Sequence, residues 1–517
     1  EFRRVLFRSD AARDAGDWAL AARCYGKHLK QRPKDVEIRV QLAHALKEQG
    51  ARDKALAAYE RAIEASADPT PIKRTRAFLL RDMGRLQEAG EAFAELHQDP
   101  HCRAEALSLG AIEPLRAQVL AQAPPNLRPV WLEIGDLVKY HAAHSNPSGI
   151  QRVIAECAER LLKIRDDVAL VVIAKGGLTQ EVSVGTFRRL VALSGQGGDV
   201  QAFARHILDS APLIPPTGSG PGLGVLFTFG DFWTEAGFFT AIDDMRANGR
   251  KLVALIHDLI PITHPHFAEA EVADKMAAAF ERLRGRCDWM IGISSQTHED
   301  ILRCGHRSEA SSIVRLCHEF SPAQSGPPAP GGALSRVNGQ RFVLCVGTIE
   351  PRKNHEILIR LWRAYRAEGA APPLLVLAGR QGWASGDLIA AIGQTPGVLR
   401  LPDVSEENLA ALYRACDLTV FPSFVEGWGL PPGESLSCGK LCVASNAVAD
   451  VSDALLTFDP NSLEDLRRVL DPLLFDPGTL EDATAEARRL FAPRGWNEVA
   501  AEISQVITSR LTAWPPR

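Results

Sequence analysis

Long apolar runs are missing from this 517-residue chain. The most apolar stretches, such as VALVVIA and KLVALIHDLIPI, fall short of the roughly 20 residues that a membrane-spanning helix needs. The first nine residues, EFRRVLFRS, are basic and have no apolar core, so we do not expect a secretory signal there. We therefore expect no transmembrane segment, while peripheral contact with a membrane stays open.

An excess of one charge is also missing. The 59 basic and 63 acidic side chains leave a formal net charge of −4, which gives no overall reason to expect nucleic acid as a partner. Any anionic ligand has to be bound by local basic residues. The ten cysteines include no C-x-x-C pair of the kind that holds structural zinc. Free thiols in a reducing cytoplasm are the simpler interpretation.

A 34-residue period is present near the N-terminus. It relates a glycine, an alanine and an aromatic residue in three successive copies: Gly16, Gly50 and Gly84; Ala21, Ala55 and Ala89; Tyr25, Tyr59 and Phe93. This period is typical of tetratricopeptide repeats, so we predict an all-α repeat segment at residues 10–110 and a linker at 111–129. Such an array offers a concave face to a peptide or another subunit, and a rigid extension without a partner is the alternative.

After the Pro-rich stretch AQAPPNLRP, short β-branched runs alternate with helical patterns. Buried strands that alternate with helices predict a parallel, doubly wound sheet. The alternation stops at the linker SPAQSGPPAPGGALS and then starts again. We therefore predict an α/β fold with two Rossmann-like domains, at 130–320 and 339–495, a linker at 321–338, and a last helix at 496–512 that packs back across the cleft. Ligands of such domains bind where the parallel strands end.

The first motif at a strand end is VLCVGTIEPRKNHEILIRLW. A predicted strand over 342–346 stops at Gly347, and a turn brings Arg352 and Lys353 to the start of the next helix. An arginine fork and a lysine ammonium beside a helix N-terminus suit a phosphate or a diphosphate. The alternative for an isolated Arg-Lys pair is two solvated surface cations.

The second motif, PSFVEGWGLPPGES, follows the predicted strand DLTVF. It places Glu426 in a glycine-rich loop and Glu434 near the start of a helix whose first turn holds two prolines. In a cleft, a carboxylate can accept the hydroxyls of a ribose or a hexose, and glycines let backbone N–H groups approach a ligand. Taken alone, Glu434 could equally complement the helix dipole, and Glu426 could be a solvated loop acid.

Together the motifs resemble those of the retaining glycosyltransferases of family 4. VEGWGLPPGES is similar to the E-x7-E signature of that family, and VGTIEPRKN to its phosphate-binding turn. SGIQRV, IHDLIPITHPHF and WMIGISSQTHEDI resemble its N-terminal domain. The resemblance covers roughly residues 130–510 in the family's order. It implies the two-domain GT-B architecture and a nucleotide-diphosphate sugar as donor, with no cofactor and no metal ion.

The resemblance also implies roles for single residues. Glu434 would bind the ribose hydroxyls, and Glu426 would contact the donor hexose without acting as a covalent nucleophile. The implied catalytic residues are Glu426, His257, Arg352 and Lys353, of which Arg352 and Lys353 would hold the diphosphate. The other implied donor-binding residues supply backbone groups or a close approach of the backbone: Gly149, Gly347, Gly427, Trp428, Gly429 and Leu430.

The chain departs from the family pattern at two places. Thr348 stands where many relatives carry a second basic residue, and the usual acidic residue is missing from SNAVADVSDA. A metal site built from Asp258 and the histidines His257, His264 and His266 is an alternative, but no further ligand motif supports it. The chain also has no D-x-D motif, the metal-binding signature of the other major glycosyltransferase fold.

The implied function is transfer of a hexose, with mannose as the first guess, from a nucleotide-diphosphate sugar to a glycan or a lipid-linked saccharide. The implied location is the cytoplasm or the inner face of the membrane. Two alternatives stay open. One is a repeat-based scaffold that binds nucleotide sugar without turnover, which the four intact charged residues of the two motifs disfavour. The other is a glycosyltransferase that modifies a protein delivered by the repeats.

Overall fold

The computed structural model describes residues 2–121, 129–194, 198–215, 224–230, 232–234, 237–320, 333–337, 339–402 and 404–513. The chain divides into two compact units. The first is Glu1–Pro125 with Leu178–Glu181 and His206–Thr217; the second is Asn126–Gly177 with Val182–Arg205 and Gly218–Arg517.

The first unit is built from helix-turn-helix repeats. Its described N-terminal part contains the helices α1 (Phe2–Asp14), α2 (Trp18–Gln31), α3 (Val36–Glu48), α4 (Arg52–Ala65), α5 (Thr70–Asp82), α6 (Leu86–Ala94), α7 (Pro100–Ser108) and α8 (Ile112–Leu120). The periodic glycines lie in the tight turns within each pair, with positive φ angles, and the periodic aromatic residues are buried between helices. Asp17 caps α2, where its carboxylate accepts a hydrogen bond from Leu20 N at 2.9 Å. The predicted all-α repeat segment is confirmed.

The predicted linker at 111–129 is wrong over its first half. Residues 112–120 form α8, and Leu115 and Val119 are buried in the same core as residues of α4 to α7. The helix was missed because its apolar face is short and can be recognised only once the repeat on which it packs is known. The rest of the predicted linker, at 122–128, lies outside the described residues.

The N-terminal half of the second unit is a parallel sheet. Its strands are β1 (Val130–Glu133), β2 (Val168–Ile173), β5 (Gly224–Thr228), β6 (Arg250–Ile256), β7 (Trp289–Gly292) and β8 (Ser311–Ile313), in the order β2-β1-β5-β6-β7-β8. Its helices are α9 (Gly135–Ala143), α10 (Gly149–Ile164), α11 (Val184–Leu193), α12 (Gly198–Ser210), α13 (Phe238–Ala247), α14 (Ile260–Thr263), α15 (Ala270–Arg284) and α16 (Ser295–Arg303). The residues of α12 from His206 onward belong to the first unit. Two further strands, β3 (Thr179–Val182) and β4 (Leu213–Ile214), pair antiparallel, and nearly all of their residues belong to the first unit.

The C-terminal half holds a second parallel sheet. Its strands are β9 (Phe342–Val346), β10 (Leu374–Ala378), β11 (Val398–Leu401), β12 (Leu418–Phe421), β13 (Cys442–Ser445) and β14 (Leu456–Phe458), in the order β11-β10-β9-β12-β13-β14. The helices are α17 (Ala333–Val337), α18 (His355–Ala367), α19 (Gly386–Gly393), α20 (Glu406–Ala415), α21 (Leu430–Ser437), α22 (Leu463–Phe475), α23 (Pro477–Leu490) and α24 (Trp496–Ala513). This is the Rossmann strand order, whose direction reverses between β9 and β12. Both predicted Rossmann-like domains are confirmed.

Two boundaries of the C-terminal half concern the predicted linker and the last helix. Residues 333–337, predicted as linker, form α17, whose Val337 is buried in the domain core; residues 321–332 and 338 lie outside the described residues. Helix α24 packs against α10, and Arg165 donates hydrogen bonds to Ser504 Oγ at 3.1 Å and Thr508 Oγ1 at 2.8 Å. The chain therefore returns from the C-terminal half to the N-terminal one. Within the described residues, no helix combines the length and the apolar character needed to cross a bilayer.

Candidate functional site

A cavity of about 720 Å³ lies between the two Rossmann-like domains, at the carboxyl ends of their strands. Loops after β6, β9, β10 and β12 line it together with the first turns of α10 and α21. It includes every predicted site residue except Glu434: Gly149, His257, Gly347, Arg352, Lys353, Glu426, Gly427, Trp428, Gly429 and Leu430. Two motifs that are some 70 residues apart in sequence therefore meet at one place, because β9 and β12 are neighbours in the sheet.

The predicted phosphate turn forms a short 3-10 turn, Pro351–Lys353, followed by α18. Asn354 precedes the helix in a left-handed conformation, with φ of 52°, which asparagine tolerates better than most residues. Its side chain donates a hydrogen bond to Pro460 O at 2.9 Å. The turn therefore has a fixed shape that holds Arg352 and Lys353 at the cavity.

Arg352 and Lys353 are both paired with Glu426. Arg352 Nη1 lies 2.7 Å from Glu426 Oε2, and Lys353 Nζ lies 2.5 Å from Glu426 Oε1. The other end of the guanidinium, Nη2, lies 2.8 Å from Glu350 Oε1. The side chains of Arg352, Lys353 and Glu426 are 19%, 14% and 8% exposed. The two cations are therefore held in place, and the alternative of two solvated surface cations is excluded.

Glu426 and Arg352 stay charged at neutral pH. Burial alone would raise the pKa of Glu426, but Arg352 and Lys353 outweigh it and lower that pKa to about 2. Burial opposes the charge of Arg352 as well, yet the carboxylates of Glu426, Glu350 and Asp258 raise its pKa. A guanidinium has five N–H donors and an ammonium three, so the cations retain donors for a further anion.

Glu434 lies outside this cavity and inside a neighbouring one of about 630 Å³. Its Oε1 is 2.8 Å from Nη2 of Arg152 in α10, and its Oε2 accepts a hydrogen bond from the buried Tyr413 hydroxyl at 2.8 Å. The side chain is only 2% exposed. Glu434 is therefore a buried carboxylate with one partner on each oxygen rather than a solvated residue at a helix N-terminus, and its role toward ribose stays a prediction.

The loop between the two glutamates needs glycine at two positions. A Cβ added to Gly427 would lie 2.0 Å from the carbonyl oxygen of His257, so no other residue fits without a backbone shift. Gly429 has φ of 87° and starts α21, whose first turn contains Pro431 and Pro432 as predicted. Thr297 Oγ1 donates within 3.3 Å of both His257 O and Gly427 O. The loop is thus in close backbone contact with the N-terminal domain.

Trp428 contributes its backbone to the cavity but directs its side chain elsewhere. The indole is buried, and Nε1 donates a hydrogen bond to Cys317 O at 3.3 Å. Its ring stacks on His318, with centroids 6.1 Å apart. His318 accepts a hydrogen bond from Arg494 N at 3.2 Å and lies 2.8 Å from Val451 O through Nε2. Trp428 therefore packs on one chain segment that connects the domains, and His318 of that segment hydrogen-bonds to the other segment at Arg494.

His257 follows β6 and faces the loop that contains Glu426. Burial lowers the pKa of His257 to about 4 despite a hydrogen bond with the Phe229 backbone. The imidazole is therefore neutral near pH 7, and its Nε2 has no hydrogen-bond partner among the described residues. The neighbouring Asp258 has a pKa raised by burial, although Arg352 opposes the shift. A neutral histidine can accept or donate one hydrogen bond to a sugar hydroxyl.

Two histidines of the metal alternative make contacts of another kind. His264 Nδ1 lies 2.9 Å from Thr263 Oγ1, and the rings of His264 and His266 pack edge to face. In the part of the chain that the structure describes, no three His, Cys, Asp or Glu side chains are grouped so as to hold a metal ion.

Two arginines of the site were not predicted. Arg152 pairs with Glu434, and Arg380 lines the same cavity as Arg352. Arg380 follows β10 and a glycine, which is the pattern that made Arg352 and Lys353 candidates, and it offers a cation beside Thr348. Arg152 stands inside SGIQRV and looks like any other polar residue of an amphipathic helix, so no local signal separates it.

Two family models match the chain. The one described as "Glycosyl transferases group 1" matches residues 333–490, and the one described as "Tetratricopeptide repeat" matches residues 12–79. The first range contains both motifs of the cavity, and the second contains the helical repeats. The predicted combination of a glycosyltransferase domain with N-terminal repeats is confirmed.

The chain is also similar to curated glycosyltransferases. The serotype-specific mannosyltransferase WbdA of Escherichia coli is 29% identical over 273 residues, which are 48% of this chain and 32% of that protein. O-antigen chain mannosyltransferase B of Escherichia coli is 28% identical over 46% of this chain and 64% of its own length. D-inositol 3-phosphate glycosyltransferase of Salinispora arenicola is 31% identical over 50% of this chain and 65% of its own length. The chain spans between about a third and two-thirds of these relatives.

Among solved structures, sucrose-phosphate synthase from Thermosynechococcus elongatus superposes with a TM-score of 0.51 at 17% identity. The superposition covers 75% of this chain and 100% of that one. This likeness concerns the fold alone. With the two parallel sheets it confirms the predicted GT-B architecture.

Proposed function

Because the chain carries a group 1 glycosyl transferase domain at residues 333–490, we propose that it transfers a hexose from a nucleotide-diphosphate sugar with retention of anomeric configuration. The observation that carries the proposal is the buried cluster of Arg352, Lys353 and Glu426. It lies at the point where the strand order of the Rossmann-like sheet reverses, which is where such sheets bind nucleotides.

The diphosphate of the donor would bind between the two helix starts. Helices α10 and α21 both begin at the cavity, and the positive ends of their dipoles favour an anion there. Arg352 and Lys353 add two full charges and free N–H donors. These groups stabilise the negative charge that builds on the leaving diphosphate, so the proposed mechanism uses no metal ion.

In the proposed reaction, the bond between the anomeric carbon and the diphosphate oxygen breaks as the acceptor hydroxyl oxygen bonds to the same carbon. The proton of that hydroxyl passes to the leaving phosphate oxygen on the same face of the sugar. Glu426 would accept hydroxyls of the hexose and keep Arg352 and Lys353 aimed at the phosphates. His257, neutral near pH 7, would orient a further sugar hydroxyl across the cleft.

For the donor sugar we propose mannose, because two of the similar proteins are named mannosyltransferases. For the acceptor we propose a glycan or a lipid-linked saccharide, since one of those names refers to an O-antigen chain. The repeats at 12–79 favour a protein partner, which makes a polypeptide acceptor the second candidate. All ten cysteines are unpaired, which supports a reducing compartment such as the cytoplasm.

The donor site can be tested by calorimetry with GDP-mannose and with UDP- and dTDP-linked hexoses. We expect one nucleotide class to bind and Arg352→Ala to weaken it by about 10- to 100-fold, because a charge-assisted contact to the diphosphate is lost. Arg467→Ala is a matched control, since Arg467 forms a bidentate pair with Glu368 outside the cavity. Release of nucleoside diphosphate with a saccharide acceptor then tests turnover.

Two results would contradict the proposal. If no nucleotide sugar binds the parent chain, or if Arg352→Ala binds it as tightly as Arg467→Ala does, the donor site is assigned wrongly. If donor binds but no saccharide or polypeptide acceptor yields nucleoside diphosphate, the chain is the scaffold described among the alternatives.

A further inference from the structure

The carboxylate of Glu434 is held by an arginine from the other Rossmann-like domain. Arg152, in α10 of the N-terminal domain, pairs with Oε1 of Glu434 at 2.8 Å, whereas Tyr413 of the C-terminal domain donates to Oε2. We propose that Arg152 is a positioning residue, which orients Glu434 for the donor ribose and so couples nucleotide binding to domain closure. This inference rests on the proposed function.

The contact is built by two helix starts that face each other. Gly149, the first residue of α10, approaches Leu430, the first residue of α21, so closely that an added Cβ would lie 3.3 Å from Leu430 Cδ1. Arg152 stands three residues further along α10, and Glu434 stands four residues further along α21. Positions three and four along a helix lie on the same face as the first, so the two side chains meet beside the contact between Gly149 and the Leu430 side chain.

Neighbouring hydrogen bonds fix the start of α10. Gln151 Oε1 accepts from Ser148 N at 3.2 Å, and its amide donates to Asp136 Oδ2 at 3.1 Å. Arg152 is therefore presented from a rigid turn, and its guanidinium also lies over the ring of Phe320, 5.6 Å from the centroid. A guanidinium that is aimed in advance loses less conformational entropy for each hydrogen bond it makes.

The orientation of Glu434 depends on this contact. Its side chain is 2% exposed, whereas Arg152 keeps 26% of its own exposed. Among the described residues, Arg152 is the cation within ion-pairing distance of Glu434. Loss of one partner of a buried ion pair leaves the other without its compensating charge and without the contact that fixes its direction. Separation of the domains would therefore weaken the acceptor that the ribose requires.

A paired carboxylate still has room for a ligand. An ionised carboxylate offers about four lone-pair sites, and Arg152 and Tyr413 occupy one on each oxygen. A ribose diol can use the remaining sites only while both partners hold the carboxylate in this orientation. By linkage, a nucleotide that prefers the paired form of Glu434 also stabilises the closed domains by the same free energy.

The experiment compares a nucleoside diphosphate with inorganic diphosphate, which has no ribose. The nucleotide is whichever of GDP, UDP and dTDP the parent chain binds most tightly in calorimetry. We expect Arg152→Ala to weaken it by about 10- to 100-fold, as for truncation of a buried charge pair, and to leave inorganic diphosphate unchanged. Arg152→Lys should restore part of the loss. Arg152→Ala combined with Glu434→Gln should bind no more weakly than Glu434→Gln alone.

Closure of the two Rossmann-like domains is measured in parallel by small-angle X-ray scattering. The nucleotide should reduce the radius of gyration of the parent chain more than that of Arg152→Ala. Lys163→Ala is the matched control, because Lys163 lies three turns further along α10, outside both cavities, and pairs with Glu159 of the same helix. It should leave both nucleotide affinity and the scattering change as in the parent.

The outcomes separate this inference from the proposed function. If Glu434→Gln and Arg352→Ala weaken the nucleotide but neither Arg152 variant does, the positioning role is refuted and the donor site stands. If Arg152→Ala weakens inorganic diphosphate equally, the residue acts on the whole cavity rather than on ribose, and the inference also fails. If Arg352→Ala has no effect on either probe, the proposed function itself fails. If Arg152→Ala does not fold, the affinities of Arg152→Lys for the nucleotide and for inorganic diphosphate are compared in its place.

Discussion

The two glutamates of the E-x7-E loop lie eight residues apart and have opposite kinds of support. Glu426 pairs with Arg352 and Lys353, and all three residues belong to the C-terminal domain. Glu434 pairs with Arg152 of the N-terminal domain and is completed by Tyr413. The ion pairs of the first cluster therefore lie within one domain, although Asp258 of the N-terminal domain also raises the pKa of Arg352. The ion pair of the second cluster exists only while two domains are in contact.

This difference indicates which part of a donor site is rigid and which part responds to domain closure. A group that must stabilise charge in the reaction gains from being preorganised, because no reorganisation is then needed as the bond breaks. A group that reports binding gains from a partner in the other domain, because its energy then depends on closure. The same short sequence motif serves both needs through its position between the domains.

The largest expected effect on the difference between the two glutamates comes from replacing Glu426. We expect Glu426→Gln to lower the free energy of unfolding by about 3 kcal/mol, since two buried cations lose their shared partner. Glu434→Gln should lower it by about 1–2 kcal/mol, because Arg152 is 26% exposed and water can solvate it. Urea unfolding at pH 7, followed by tryptophan fluorescence, measures both.

The free energy of unfolding at acidic pH tests this prediction. The folded-state pKa of Glu426 is lowered from 4.5 to about 2, so its stabilisation is complete above about pH 4.5 and is lost as pH falls toward 2. The parent and Glu426→Gln should therefore differ most near neutral pH and converge near pH 2. A constant difference across this range would show that Glu426 stabilises the chain by packing and not by its charge.

A second prediction separates closure from charge. Gly427→Ala places a methyl group where only 2.0 Å is available to His257 O, while it leaves every member of the Glu426 cluster in place. We expect the closed form to lose about 2 kcal/mol, as in overpacked cores, which corresponds to a roughly thirtyfold shift toward open chains. Small-angle scattering with donor and the turnover number report it. Unchanged scattering together with full turnover would mean that the contact with His257 is not required for closure.

Much of the fold follows from short-range pattern. The 34-residue period gave the repeats, and apolar runs that end in glycine gave the strands and hence the cavity at their carboxyl ends. The linker at 111–129 failed because α8 is defined by packing of Leu115 and Val119 on α4 to α7, and no such partner is visible in its own sequence. Helix α17 was missed for the same reason, since Val337, Ala333 and Leu334 pack against the domain core and not against a partner that is visible in the helix's own sequence.

The site divides in the same way. Arg352, Lys353 and Glu426 were predictable because each stands next to the strand that carries it. Arg152 was not, since its meaning depends on a contact with Glu434 across 282 positions of the chain. Trp428 was predicted for its backbone, and the structure shows that its indole serves the connection between the domains. A residue that follows a predicted strand can be found from the sequence, whereas a residue such as Arg152, whose role depends on a distant partner, cannot.

The smallest predicted effect concerns that connection. Trp428→Phe keeps an aromatic ring against His318 but removes the hydrogen bond from the indole to Cys317 O. We expect a loss of about 1 kcal/mol in the free energy of unfolding and no change in the affinity for inorganic diphosphate, because the side chain does not face the phosphate turn. Nucleotide affinity should fall by a few fold, since the closed form is slightly disfavoured. If the affinity for inorganic diphosphate falls as much as the affinity for the nucleotide, the indole contacts the anion site. Trp428 would then be a ligand contact and not only part of the connection between the domains.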